Sequence, residues 1–144
     1  MRTWTAHAIS EARPEDILAA LTDPDEVARW SPVAFDIEDD LLRLRAGDRT
    51  RVSGKLAGVR VGFDVEVHAA EDGRFSLSAC GPVAMDVDYD LAAGEAGTEV
   101  HASVSIRPGR GLLSSVMAEA TNGLLRAGAL SAAVDRLARV AVAA

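Results

Sequence analysis

The side chains able to do acid, base, nucleophilic or metal chemistry fall into a few short sets. Asp86, Asp88 and Asp90 recur at every second position, as do Asp64 and Glu66, and in an extended strand that spacing puts each set on one face. Carboxylates gathered in this way suit a divalent-cation site or a paired acid and base. His7, His68, His101, the single tyrosine Tyr89 and the single cysteine Cys80 complete the candidates. There is no serine, histidine and acid constellation, no glycine-rich phosphate loop and no zinc-ligand spacing, so no cofactor and no metal are expected.

Which of these groups can meet a substrate depends on the strands that carry them. From about Gly47 to Ile106 apolar and polar residues alternate almost without interruption, as in Val59, Val61, Phe63, Val65, Val67 and in Val83, Met85, Val87, Tyr89, Leu91. Period two means half-buried antiparallel strands. The same parity assigns Thr50, Val52, Gly54 and Leu56 to the inward face, with Phe75, Leu77 and Ala79, and with Val100, Ala102, Val104 and Ile106. A one-residue slip would bury Arg60, Asp64 and Glu66 at a prohibitive desolvation cost. Only Thr50 and Tyr89 carry polar side-chain atoms on this face, so a cavity bounded by it would hold mostly hydrocarbon.

The acids then lie on the opposite, solvated face, within reach of Arg49, Arg51, Lys55 or Arg60 as cross-strand pairs. His68 and His101 alternate with valines and face solvent too. His7 has an undecided parity: with Ile9 turned inward it becomes, beside Tyr89, a candidate acid or base, and otherwise it is a surface histidine. Tyr89 has two readings, a donor to a ligand oxygen or an acid on one side, and a packed ring with a bonded hydroxyl on the other. Cys80 sits at a strand end with no assigned base, which makes it a weak nucleophile.

The remaining chain supplies the cover. Thr3 to Ile9 reads as a first strand. Pro14 opens a helix to about Leu21, with Glu15 and Asp16 in its positive first turn. Asp23 and Pro24 start a second short helix ending near Trp30. Val33 to Leu44 forms a strand with an irregularity at Glu38-Asp39-Asp40, and turns follow at Ala46-Gly47-Asp48, Ala57-Gly58, Glu71-Asp72-Gly73, Cys80-Gly81-Pro82 and Gly94-Glu95-Ala96-Gly97. After Arg107-Pro108-Gly109, one amphipathic helix runs from Leu112 to about Val142, bringing Val116, Met117, Ala120, Leu124, Val134 and Leu137 to the sheet. Gly123 and Gly128 weaken it or permit a bend. Asn122 is its most notable polar residue, expected to face solvent rather than a ligand.

These elements make one α+β domain over residues 1–144. Its 49% hydrophobic content is enough for a substantial core. The net charge of -7 argues against nucleic acid or an anionic membrane as main partner. One cysteine and the lack of a hydrophobic leader point to the cytoplasm. No apolar run reaches the roughly 20 residues that span a bilayer. Oligomeric state is left open.

The order and local wording of the chain carry a resemblance. Ile9 followed by Ala12-Arg13-Pro14 and Ile17, then Leu21-Thr22-Asp23-Pro24 leading to Trp30-Ser31-Pro32, Leu44-Arg45-Ala46-Gly47-Asp48 and Gly97-Thr98-Glu99-Val100 together resemble the START/Bet v 1-like (SRPBCC) superfamily, in particular its polyketide cyclase/dehydrase-like proteins. The resemblance implies a helix-grip fold: a curved antiparallel sheet of about seven strands wrapped around a long C-terminal helix, with two short helices between the first two strands. It also implies a pocket between sheet and helix, whose entrance the second short helix flanks, bringing in Trp30 and Phe35. The expected ligand contacts are then Thr50, Val52, Phe63 and Val65, with Phe75, Leu77, Met85, Val87, Tyr89 and Val104 across the sheet. Met117, Ala120 and Leu124 approach from the helix.

Fold resemblance does not choose an activity. One role is binding of a hydrophobic small molecule such as a lipid, acyl chain or polyketide-like ring, favoured by an apolar lining. A second is a cyclase, aromatase or dehydratase using Tyr89 and His7, although the inward arginine such enzymes are thought to use is missing from the inward positions. A third is a protein-interaction module without a small ligand.

Overall fold

A computed structural model describes residues 2–23, 26, 35–37, 44–56, 59–71, 73–108 and 111–143. Strand β1 (Arg2–Ser10) leads into helix α1 (Pro14–Thr22), and the strands β2 (Phe35–Ile37), β3 (Arg49–Leu56), β4 (Val59–Glu71), β5 (Arg74–Cys80), β6 (Val83–Gly94) and β7 (Gly97–Pro108) follow. Helices α2 (Leu112–Arg126) and α3 (Ala129–Ala143) close the chain. The expected second short helix, with Trp30, lies outside the described residues, as does the strand predicted over 33–44 apart from 35–37 and Leu44. Pro14 stands at the start of α1 with Glu15 and Asp16 in the first turn, and Ile17, Ala20, Leu21 and Thr22 are buried.

The strands form one antiparallel sheet in the order β1-β7-β6-β5-β4-β3-β2, a meander whose first strand returns beside the last. Its register aligns inward residues in transverse rows. Ala6, Ala102, Tyr89, Phe75 and Ala70 form one, and Trp4, Val104, Val87, Leu77 and Val67 the next. Ile106, Met85, Ala79, Val65 and Thr50 form a third, with Val52 beyond it opposite Phe63 and Ile37. The apolar parity read from the alternation is the parity of the core, since Val61, Phe63, Val67, Phe75, Val83, Val100 and Ile106 are all buried.

The single terminal helix expected from the sequence is two helices. At Gly128 the backbone takes φ 95°, a left-handed conformation glycine adopts readily, while Ala127 N–H donates to Gly123 O at 3.0 Å and Gly128 N–H to Leu125 O at 3.1 Å. The break changes which residues face inward. In an unbroken helix Val116, five turns of 3.6 residues before Val134, would share its face, yet Val134 is 0% exposed and Val116 50%. Met117, Ala118 and Thr121 are the buried side of α2 instead. Helix α3 packs on β1 and α1, whereas α2 makes its main sheet contacts with β7, β6 and β3. Among the described residues no helix is long and apolar enough to cross a membrane.

Hydrogen bonds fasten α3 and the last hairpin to the end of β1. Ser10 Oγ donates to Ala138 O at 2.8 Å and accepts from Ala12 N–H at 3.2 Å, while Thr98 Oγ1 donates to Ala12 O at 2.7 Å. Gly97, at φ 128°, lets the β6–β7 turn pass directly over Ser10: a Cβ there would collide with the Ser10 carbonyl oxygen. At Gly128 a Cβ would meet nothing within 4 Å, so only backbone strain opposes it. Gly97→Ala should therefore destabilise by about 3 kcal/mol, combining strain and overpacking, against about 1 kcal/mol for Gly128→Ala. Urea denaturation of the two variants checks the order.

Candidate functional site

The inner face divides into a closed part and an open part. Where α1 and α3 lie over it, Tyr89, Phe75, Leu91 and Val100 are buried, with the rings of Phe75 and Tyr89 tilted by 44° at 6.4 Å between centroids. Burial pushes the Tyr89 phenol well above its ordinary 10.0, because the anion would be formed away from water. A phenol that holds its proton so firmly is a hydrogen-bond donor and a poor acid.

Toward the middle of the sheet the cover thins. Val87 and Leu77 sit opposite each other on β6 and β5 and are only half-buried, as are Met85 on β6, Val65 on β4 and Val52 on β3. Val87 and Leu77 face each other directly, Met85 and Val65 flank buried Ala79, and Val52 lies two residues along β3 from Thr50, so the five form one apolar neighbourhood on the central strands. On β7 the corresponding face is shut, with Val104 at 8% and Ile106 at 1% exposure. Helix α2, which touches β3 on one side and β6 and β7 on the other, spans this patch. Its 15 residues reach about 22 Å, enough to cross the roughly 14 Å from β3 to β6.

The fixed point of that span is a polar contact the sequence did not reveal. Trp4 Nε1 donates to Asn122 Oδ1 at 3.0 Å, tying the inner face of β1 to α2. Asn122, expected in solvent, is half-buried and engaged. Trp4 was missed as well. It shares its parity with Ala6, Ala8 and buried Ser10, and those small residues gave a weaker signal than Ile9, which has the opposite parity and is 58% exposed.

That parity also corrects His7. It is exposed with Ile9 on the outer face, and its ring stacks on His101 of the neighbouring strand at 5.8 Å and 18°. It is therefore apart from Tyr89 and from the patch. Leu124 is likewise corrected: it is 41% exposed, at the edge of the α2 face whose buried residues are Met117, Ala118 and Thr121. Met117 is buried at 1% and Ala120 half-buried. Phe63, Phe75, Val104 and Thr50 are buried on the inward side. The Phe35 backbone lies opposite Gly54, but its side chain, like Trp30, is outside the described residues.

The acids behave as an outer charged surface. Arg51 pairs with Asp64 at 3.0 Å, Arg49 with Glu66 at 3.5 Å, Arg107 with Asp86 at 3.1 Å and Arg74 with Asp88 at 3.4 Å. The partners of Asp86 and Asp88 are thus Arg107 and Arg74, each one diagonal step away on a neighbouring strand, and not the arginines of β3. Such exposed pairs add about 0–1 kcal/mol each. Among the described residues no group of three or more histidines, cysteines or acids could hold a metal. His68 shares a hydrogen bond of 2.7 Å with Ser78 on the same outer face.

Residues 1–142 match the sequence profile of a family described as polyketide cyclase / dehydrase and lipid transport. No curated protein matches the sequence significantly. Solved structures share the fold. A Chromobacterium violaceum protein, CV1439, superposes with a TM-score of 0.74 at 18% identity, over 97% of each chain. An AHSA1-like protein from Aeromonas hydrophila gives 0.64 at 20%, over 99% of this chain and 93% of its own. Ara h 8.0201 gives 0.64 at 11%, over 99% of each.

Two measurements test the geometry. Folding favours the neutral phenol of Tyr89, so its contribution is complete below the unfolded value of 10.0 and is lost as pH rises above it. Stability should fall there by about 1.4 kcal/mol per pH unit from this group, and Tyr89→Phe should remove that component from alkaline denaturation curves. Asn122→Ala should cost about 1 kcal/mol, the worth of a part-buried hydrogen bond, in urea denaturation.

Proposed function

The chain belongs to the polyketide cyclase/dehydrase and lipid transport family, within the SRPBCC superfamily, and on that premise we propose that it binds a hydrophobic small molecule between the inner face of the sheet and α2. The observation that carries this reading is the set of large apolar side chains Val52, Val65, Leu77, Met85 and Val87, all half-buried on the inner face of the central strands, where Phe63, Val67, Phe75 and Ile106 around them are buried. Apolar side chains left accessible beneath a spanning helix offer a ligand the hydrophobic effect and little else. A guest removing roughly 300 Å² of apolar surface from water gains about 7.5 kcal/mol, which corresponds to low-micromolar affinity before ordering costs.

An enzymatic role in cyclisation or dehydration has less support. With His7 on the outer face, Tyr89 is the one candidate acid of the two that faces inward, and its burial disfavours proton release. Binding is the better reading of the same residues.

A neutral fluorescent probe, N-phenyl-1-naphthylamine, should bind the protein with enhanced emission. Leu77→Trp fills the patch from the sheet side and should weaken that binding at least tenfold while leaving the folded circular dichroism spectrum in place. Absence of probe binding, or equal binding by the filled variant, would sink the proposal.

A further inference from the structure

We propose that Thr50 is the polar anchor of this site and that the site selects an uncharged hydrocarbon bearing one hydrogen-bonding oxygen, such as a ketone, ester or alcohol, in preference to a carboxylate. The inference rests on the binding reading above and specifies its ligand.

Thr50 is 7% exposed, and its Oγ1 is buried with no hydrogen-bond partner among the described residues. Buried polar groups are nearly always paired, and an unpaired one is destabilising. Valine would occupy the same inward position of β3 without that cost, so the hydroxyl is a liability to the unliganded protein that a ligand oxygen relieves.

Its location fits that role. Thr50 ends the row that runs through Val65 and Ala79 to Met85, and Val52 follows it on the same face of β3. A ligand with its oxygen at Thr50 lays its hydrocarbon over Val65 and Met85, about 14 Å away across three strand spacings. The oxygen is shut off from solvent. One staggered step about χ1 exchanges the positions of hydroxyl and methyl and turns it toward the guest.

Charge decides which oxygen. Arg49 and Arg51, on either side of Thr50, have the opposite parity. They pair with Glu66 and Asp64 on the outer face, their side chains 78% and 51% exposed. A carboxylate at Thr50 would lose its water without gaining a cation from β3, which is far costlier than burying a neutral carbonyl. A neutral oxygen needs only the hydroxyl.

A matched series displacing N-phenyl-1-naphthylamine tests this: 2-acetylnaphthalene, 2-methylnaphthalene and 2-naphthoate at pH 7, against wild type, Thr50→Val and Thr50→Ser. Wild type should bind the ketone tightest. Thr50→Val should weaken the ketone about tenfold, or about 1.4 kcal/mol, and the hydrocarbon less than twofold, with a raised Tm; Thr50→Ser should keep the preference. The anchor is overturned if Thr50→Val weakens ketone and hydrocarbon equally or affects neither, if its Tm falls, or if 2-naphthoate binds wild type best. If neither the probe nor any of the three compounds binds wild type, the inner-face site itself fails, and the anchor with it.

Discussion

The structure is governed by a mismatch between a wide apolar surface and the helices available to cover it. The inner face runs from β1 to β3, and every strand contributes apolar residues to it. Helices α1 and α3 close it toward the Ser10 end, where hydrogen bonds to Ala138 O and Ala12 O tie α3 and the last hairpin to the chain after β1. Helix α2 cannot press on the whole remainder while reaching from β7 to β3. The central residues Leu77, Val87, Met85 and Val65 keep accessible surface as a result, and that surplus is the physical basis of the proposed site.

Polar chemistry is sorted by the same alternation. The period of two sends arginines and acids outward, where they neutralise one another across strands at small net gain, and keeps the interior nearly free of ionisable groups. Tyr89 is the exception in the closed part, kept neutral by burial. Thr50 is the exception beside the open part, where its hydroxyl lacks a described partner. Hydrophobic area is the source of affinity in the proposed site, and the Thr50 hydroxyl the source of the directional information an apolar lining lacks.

Much of this was legible in the residues. The parity of β3 to β7 follows from the cost of burying Arg60, Asp64 and Glu66, and the register places those side chains outward as that cost requires. The turn at Gly94–Gly97 and the start of α1 at Pro14 were equally plain. The facing of β1 was not: the strand is built largely from alanine, serine and threonine, and its most apolar residue, Ile9, is exposed. His7 was consequently misplaced as a candidate and Trp4 overlooked. The phase of α2 failed for a different reason. Helical periodicity is additive only while the helix is continuous, and the left-handed Gly128 breaks the sum: Val116 turns to solvent, Met117 keeps its inward place, and Ala118 and Thr121 join it while Leu124 lies at the exposed edge. The Trp4 to Asn122 bond joins residues far apart in sequence, and no local pattern announces it.

The break at Ala127-Gly128 also sets two adjacent stretches of chain under separate thermodynamic control. Amides of α3 stand behind Val134 and Leu137, both 0% exposed, and exchange with solvent only when the Ser10 end of the molecule comes apart. Those of α2, whose outer side carries Val116 and Leu124 into water, are expected to open at lower free energy. Amide protection should therefore drop sharply on passing from α3 back into α2.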